Sequence, residues 1–260
     1  MTHSPHSLFL ISSASLFFSG IILLSYRAYG WGLLLMLGLL ILYSSAKNNR
    51  SVASLFLFFL IGFLTFQWAT GWINGWDISK EINILLNRSF LIFILVALAV
   101  SQWMAKEKVL CYMRLPDWSK RISMPSHTIS LPLFLLIGLA GSSTIFIPLI
   151  WSEGISEVKS LFLFAIGFTI LNATLEELIW RGVILSSLLR DTSVMYAVTV
   201  TSIGFGLLHL SIGIPLLLSL LFSFGGLFYS IVVLKTDSIY PSISFHMVMN
   251  MGMVLNGWIN

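Results

Sequence analysis

The sequence predicts an all-α polytopic bundle of about eight or nine transmembrane helices. Three observations carry this reading. First, 57% of the residues are hydrophobic and only 9% are charged, with a mean hydropathy of +0.95. A soluble domain of 260 residues cannot bury that much apolar surface. Second, the apolar residues fall into runs near the ~20 residues that a bilayer core requires. Third, these runs do not alternate with period two. Lipid admits only helices and closed barrels, so helices are the choice.

The spans are read in order. The first covers Ser7–Ser25 and is ended by Arg27, and the second covers Gly30–Ala46 and stops at Lys47 to Arg50. The third, Val52–Ile73, ends in Trp68, Trp72 and nearby Trp76, an interfacial aromatic belt. The fourth covers Ile84–Met104, with Arg88 in its first turns expected to snorkel to the headgroups. A polar loop, 105–130, follows and carries Lys106, Lys108, Arg114, Lys120 and Arg121. The fifth span, Leu131–Trp151, contains Pro148 as a kink or stop. The sixth covers Ser160–Leu189, the seventh Ser193–Leu210, the eighth Pro215–Leu234 and the ninth Ile239–Trp258. Gly213 and Pro215 part the seventh from the eighth, and Pro241 sits in the tolerated first turn of the ninth. The expected organisation is an N-terminal four-span region at 1–104, a basic cytoplasmic loop at 105–130 and a C-terminal core at 131–260.

The net charge of +4 does not indicate nucleic acid. In a membrane chain, Lys and Arg first report orientation. Most of them fall in the even-numbered loops, which places those loops and the N-terminus in the cytoplasm and, with nine spans, the C-terminus outside. The single cysteine, Cys111, excludes an internal disulfide and a cysteine-rich metal site and reads as an unremarkable thiol. No cleavable signal peptide is expected, because no basic region precedes Leu8.

The chemistry lies in charges that lipid penalises by about 2.5–3.5 kcal/mol each at a helix centre. The sixth span carries Glu176, Glu177 and Arg181. Glu177 and Arg181 are four apart, acid first, so they share a helix face and can neutralise each other. Glu176 points about 100° away, with Asn172 on its own face to orient it. Glu176 is therefore the carboxylate free for chemistry. The seventh span places Phe205 and His209 four apart, with Gly204 and Gly206 allowing close helix approach. The ninth places His246 and Asn250 four apart, two donors that can meet at one point, as an oxyanion requires. Taken singly, each reads as readily as a packing device or an interhelical hydrogen bond. Together, on three helices of one half, they suggest one cavity. Trp180 and the methionines around His246 read as packing. His3, His6 and His127 lie in loops and carry no signal.

At these residues the sequence resembles the CPBP family, the type II C-a-a-X prenyl proteases and the bacteriocin-processing or immunity proteins also called Abi. Its three signatures stand here as Glu176-Glu177-Leu178-Ile179-Trp180-Arg181, Phe205-Gly206-Leu207-Leu208-His209 and His246-Met247-Val248-Met249-Asn250. The likeness covers roughly Leu131 to Asn260, while the first four spans match nothing that can be named. The resemblance implies an intramembrane peptidase, glutamic-type rather than metallo, in which Glu176 and His209 activate water. His246 and Asn250 would then stabilise the oxyanion, while Glu177, Arg181, Asn172 and Phe205 would serve structure or substrate orientation. No cofactor is expected. Zinc held by His209, His246 and Glu176 is the alternative, although the H-E-x-x-H signature is absent.

The expected partners are membrane lipids and a membrane-associated protein or peptide substrate, with no nucleic acid. The expected location is a bacterial inner membrane. A non-enzymatic immunity, binding or transport protein is the rival class, although the paired repeats of a transporter are not visible. One requirement remains. Glu176 lies roughly 24 Å along its helix from Ser160, whereas His209 ends the seventh span on that same side. Either the sixth span starts later or tilts, or the seventh extends further.

Overall fold

The computed structural model describes residues 5–45, 50–123, 126–146 and 155–259. These fold into an all-α polytopic bundle. Helix α1 is Pro5–Ser25, α2 is Tyr29–Ser45 and α3 is Arg50–Ile73. Then come α4 (Lys80–Ser89), α5 (Leu91–Met104) and α6 (Leu131–Ser143). Helix α7, Ile155–Glu177, runs on without interruption through a π-helical segment, Leu178–Leu185, into α8, Ser186–Asp191. Helix α9 is Val194–Leu208, α10 is Leu216–Thr236 and α11 is Tyr240–Leu255.

Among the described residues, six stretches are long and apolar enough to cross a membrane: Ser7–Ser25, Arg50–Ile73, Lys80–Met104, Leu161–Asp191, Val194–Ile212 and Leu216–Thr236. They correspond to the first, third, fourth, sixth, seventh and eighth expected spans. The second, fifth and ninth are shorter helices. Helix α6 has only 13 residues, about 20 Å at 1.5 Å per residue. At its end Ser142, Ser143 and Thr144 turn their hydroxyls back onto the carbonyls of Gly138, Leu139 and Gly141. Such back-bonding competes with the helix ladder, which passes into a 3-10 turn at Thr144–Phe146. Pro148 and Trp151, the expected end of that span, lie outside the described residues.

The fourth span is broken rather than straight. Ser79 caps α4 by accepting from the Ile82 amide at 3.4 Å, and Phe90 separates α4 from α5. The loop 105–130 contains a short antiparallel hairpin that pairs Arg121 with Ser130 and Ser123 with Thr128. The loop is strapped to the bundle by polar contacts. Lys120 Nζ meets Asp237 Oδ2 at 2.5 Å, Arg114 Nε donates to the Asp237 carbonyl at 3.0 Å, and the Cys111 amide donates to the Gly182 carbonyl at 3.0 Å.

One hydrophobic core runs through both halves of the chain. Phe17 stacks on Phe56 at 4.4 Å between ring centroids, and Phe59 reaches Trp180 at 5.2 Å. Trp180 in turn meets Phe205 edge-on at 6.4 Å. The glycines of α9 and α10 set the closest approach. A Cβ on Gly204 would lie 2.6 Å from the Trp180 ring, and one on Gly226 would lie 2.9 Å from Ser202 Cα. Both positions therefore exclude a larger side chain, as expected where helix backbones meet.

Candidate active site

The uninterrupted run from Ile155 to Asp191 resolves the depth requirement. Glu176 is fifteen residues before Asp191 and His209 is sixteen after Ser193, and those two ends share one turn. Both lie about 22–24 Å from that turn and so at similar depth. The seventh span also extends further than its helix, through a 3-10 turn at His209–Ile212.

The π-helical segment begins directly after Glu177, at a kind of irregularity concentrated at functional sites. Glu177 and Arg181 are fully buried, at 0% exposure each, and pair at 2.8 Å. Glu177 is saturated. Its Oε1 accepts from Arg181 Nη1 and, at 3.0 Å, from His246 Nδ1, while its Oε2 accepts from the Ser242 hydroxyl. Arg181 continues the network by donating Nη2 to the Gly226 carbonyl at 2.8 Å and stacking its guanidinium 4.7 Å from the Phe205 ring centroid. Tyr229 lies flat against His246, with ring centroids 4.9 Å apart.

Glu176 has a different environment. It is 2% exposed, and its Oε2 is buried without a hydrogen-bond partner. That oxygen faces His246 Nε2 at 3.7 Å, while its Oε1 faces Arg88 Nη1 at 3.9 Å. Arg88 does not reach the headgroups as expected from sequence. It is only 9% exposed, with its guanidinium 5.8 Å from the Phe168 ring centroid. The break at Phe90 makes α4 a separate helix against α7, where Glu176 offers an internal counter-charge. Among the described residues the Arg88 guanidinium donates no hydrogen bond, so its donors remain available at the cavity wall.

Asn172 makes no hydrogen bond to Glu176, contrary to expectation. Its own Oδ1 is buried and unpartnered, as is Nδ2 of Asn250. His209 donates Nδ1–H to the Phe205 carbonyl at 3.0 Å, because a carbonyl can only accept. Its Nε2 is therefore the free nitrogen. The His209 ring stacks on Phe222 at 4.2 Å and meets Phe205 at 5.2 Å. Phe205 also touches His246, at 5.6 Å, and so contacts both imidazoles and the Arg181 guanidinium.

His209, His246, Asn250 and Arg88 all line one cavity of about 980 Å³. Glu176 lies behind its wall, in ionic contact with two of those residues. Among the described residues no three His, Cys, Asp or Glu side chains are close enough together to hold a metal ion.

Sequence reasoning missed four participants. Ser242 is four residues before His246 and shares its face, a spacing that could have pointed to it. Arg88 was visible as a charge in a span but carried no mark of its partner. Tyr229 and the Gly226 carbonyl had no signal, since nothing in α10 distinguishes them from lipid-facing neighbours.

Residues 158–252 match the family model described as type II CAAX prenyl endopeptidase, Rce1-like. The protein carries an Rce1-like segment. All three motifs fall inside the matched stretch, as do the cavity residues of α9 and α10 and, in α11, His246, Met249 and Asn250. No curated protein and no solved structure matches the chain. The match supports an integral membrane protein with the general activity of an intramembrane protease. Arg88 and the other N-terminal cavity residues lie outside it.

Proposed function

We propose that this protein hydrolyses a peptide bond of a membrane-associated protein or peptide, using a water activated by Glu176 and His209. The observation that carries the reading is the contrast within one turn. Glu177 has every oxygen engaged, while Glu176 presents an unpartnered Oε2 beside the nitrogens of a shared cavity. A buried, unpartnered carboxylate oxygen is costly, and it is tolerated where a ligand or water is to be received. In the proposed step Glu176, with the free Nε2 of His209, takes the proton as water attacks the carbonyl carbon. Asn250 Nδ2 donates to the developing oxyanion, as does His246 Nε2 when its ring carries both protons, a charge flanked by Glu176 and Glu177. Arg88 adds positive charge from the N-terminal half and serves as a positioning residue for Glu176.

The reading assigns no role to a metal. Zinc analysis of the purified protein, alongside activity with and without chelator, separates the glutamic from the metallo version. Stoichiometric zinc lost together with activity would favour the latter. We further propose a bacterial inner-membrane location with the N-terminus cytoplasmic, on the Lys and Arg distribution.

The decisive test is Glu176→Gln, which preserves shape and removes the charge. Cleavage of a native substrate, found by comparing membrane proteomes with and without the active protein, should fall about 10²–10⁴-fold. A variant that cleaves like the unmodified protein would sink the assignment, and a preserved phenotype without cleavage would favour a binding or immunity role.

A further inference from the structure

The basic residues and the mouth of the cavity lie on opposite sides of the bundle. Lys and Arg total 14. Two, Arg88 and Arg181, are buried inside. Among the described residues, eight belong to one side: Arg50, Lys106, Lys108, Arg114, Lys120, Arg121, Arg190 and Lys235. Contacts in the structure tie this side together. Arg190 Nε lies 3.5 Å from Glu107 Oε2, Lys120 and Arg114 hold Asp237, and Lys235 Nζ donates to the Ser123 carbonyl at 3.1 Å. Tyr196, at the start of α9, donates its hydroxyl to the Leu10 carbonyl at 2.8 Å, which brings the beginning of α1 to the same side. Among the described residues, the helix order leaves only Arg27, Lys80 and Lys159 opposite.

The cavity belongs to that opposite side. Its lining includes Asn74 at the end of α3, the Ser211–Pro215 turn and Trp258 beyond α11, and no residue from any turn on the basic side. Towards the basic side it is closed by the Glu177, Arg181 and Ser242 network and by fully buried Trp180. The exposed Trp68, Trp72 and Trp76 lie in the last turns of α3 and just beyond it, on the same side as Asn74, as aromatic residues do at a membrane interface.

We infer that the cavity opens to the extracytoplasmic face, and that the substrate is the apolar segment of an exported polypeptide already translocated across the membrane. Lys- and Arg-rich short loops stay cytoplasmic, so an eight-to-three bias among the described residues, with the mouth on the poorer side, sets the direction of entry. Leu218, Leu221, Phe222, Met249 and Met253 give the cavity an apolar wall suited to such a segment. This rests on the peptidase reading for its substrate, but the sidedness stands on charge and geometry alone.

The test uses the full-length protein with Cys111→Ser and one new thiol, either Ser119→Cys in the exposed basic loop or Trp258→Cys, 70% exposed at the cavity mouth. A membrane-impermeant maleimide applied to intact bacterial spheroplasts should label the Trp258→Cys protein. It should label the Ser119→Cys protein only after permeabilisation. The reverse pattern, or equal labelling of both, overturns the inference. A C-terminal green fluorescent protein should stay dark and a C-terminal alkaline phosphatase should be active, and a fluorescent fusion also overturns it. Labelling needs no turnover. Correct sidedness in a protein that cleaves nothing would therefore count against the peptidase reading and leave the orientation intact.

Discussion

Glu176 and Glu177 are adjacent in sequence and occupy two unlike regions of the molecule. On the Glu177 side, arginine, histidine and serine engage both carboxylate oxygens, and the arginine also reaches a glycine carbonyl, with only its Nε left unpartnered. The Glu176 side is equally buried but unsatisfied. Its contacts to Arg88 and His246 are 3.9 and 3.7 Å, too long for hydrogen bonds, and three nearby side-chain atoms, Glu176 Oε2, Asn172 Oδ1 and Asn250 Nδ2, have no partner. A satisfied buried network rigidifies, while an unsatisfied one is costly and persists where function uses it. In the proposed reading, this difference separates the part of the site that holds shape from the part that would meet substrate.

Three substitutions sharpen or break that contrast. The largest expected effect is on stability. Arg181→Met should cost about 3–5 kcal/mol in unfolding measurements in detergent, because it leaves the Glu177 charge buried without its main partner. Adding Glu177→Gln should recover part of the loss. If Arg181→Met proved as mild as Glu176→Gln, the division between brace and reactive face would fail.

Next, Asn250→Ala should leave the fold intact and lower kcat by about 10²–10³-fold, the effect of removing one oxyanion donor. A fall in stability with unchanged kcat would move Asn250 to the structural side. The smallest effect is expected of Ser242→Ala, about 1–2 kcal/mol, since Glu177 keeps two other donors. Any change in cleavage should then follow only from looser positioning of His246.

Much of this was legible in the sequence, and for definite reasons. Hydropathy located the apolar helices because lipid imposes the same demand on each. The four-residue spacing of Glu177 and Arg181 fixed their pairing because helix geometry leaves little choice. The shortness of α6 was not legible, since Ser142, Ser143 and Thr144 are apolar enough to pass in a window average, and their back-bonding depends on the local backbone. Arg88 was misplaced for a related reason: a charge near a span end has two outlets, headgroups or an internal acid, and only packing decides between them. The π-helical turn after Glu177 was not legible, because one glycine, Gly182, among apolar residues reads as readily as a helix-packing position.

The aromatic seam of Phe17, Phe56, Phe59 and Trp180 limits how the chain can be divided. A fragment cut within 105–130 would carry the three motifs yet present the bare Trp180 indole where its neighbours had been. Such a fragment would also lack the guanidinium that faces Glu176. Two co-expressed pieces would regain both only by annealing along this seam. Complementation between them would then depend on shape match between aromatic rings rather than on a continuous peptide chain.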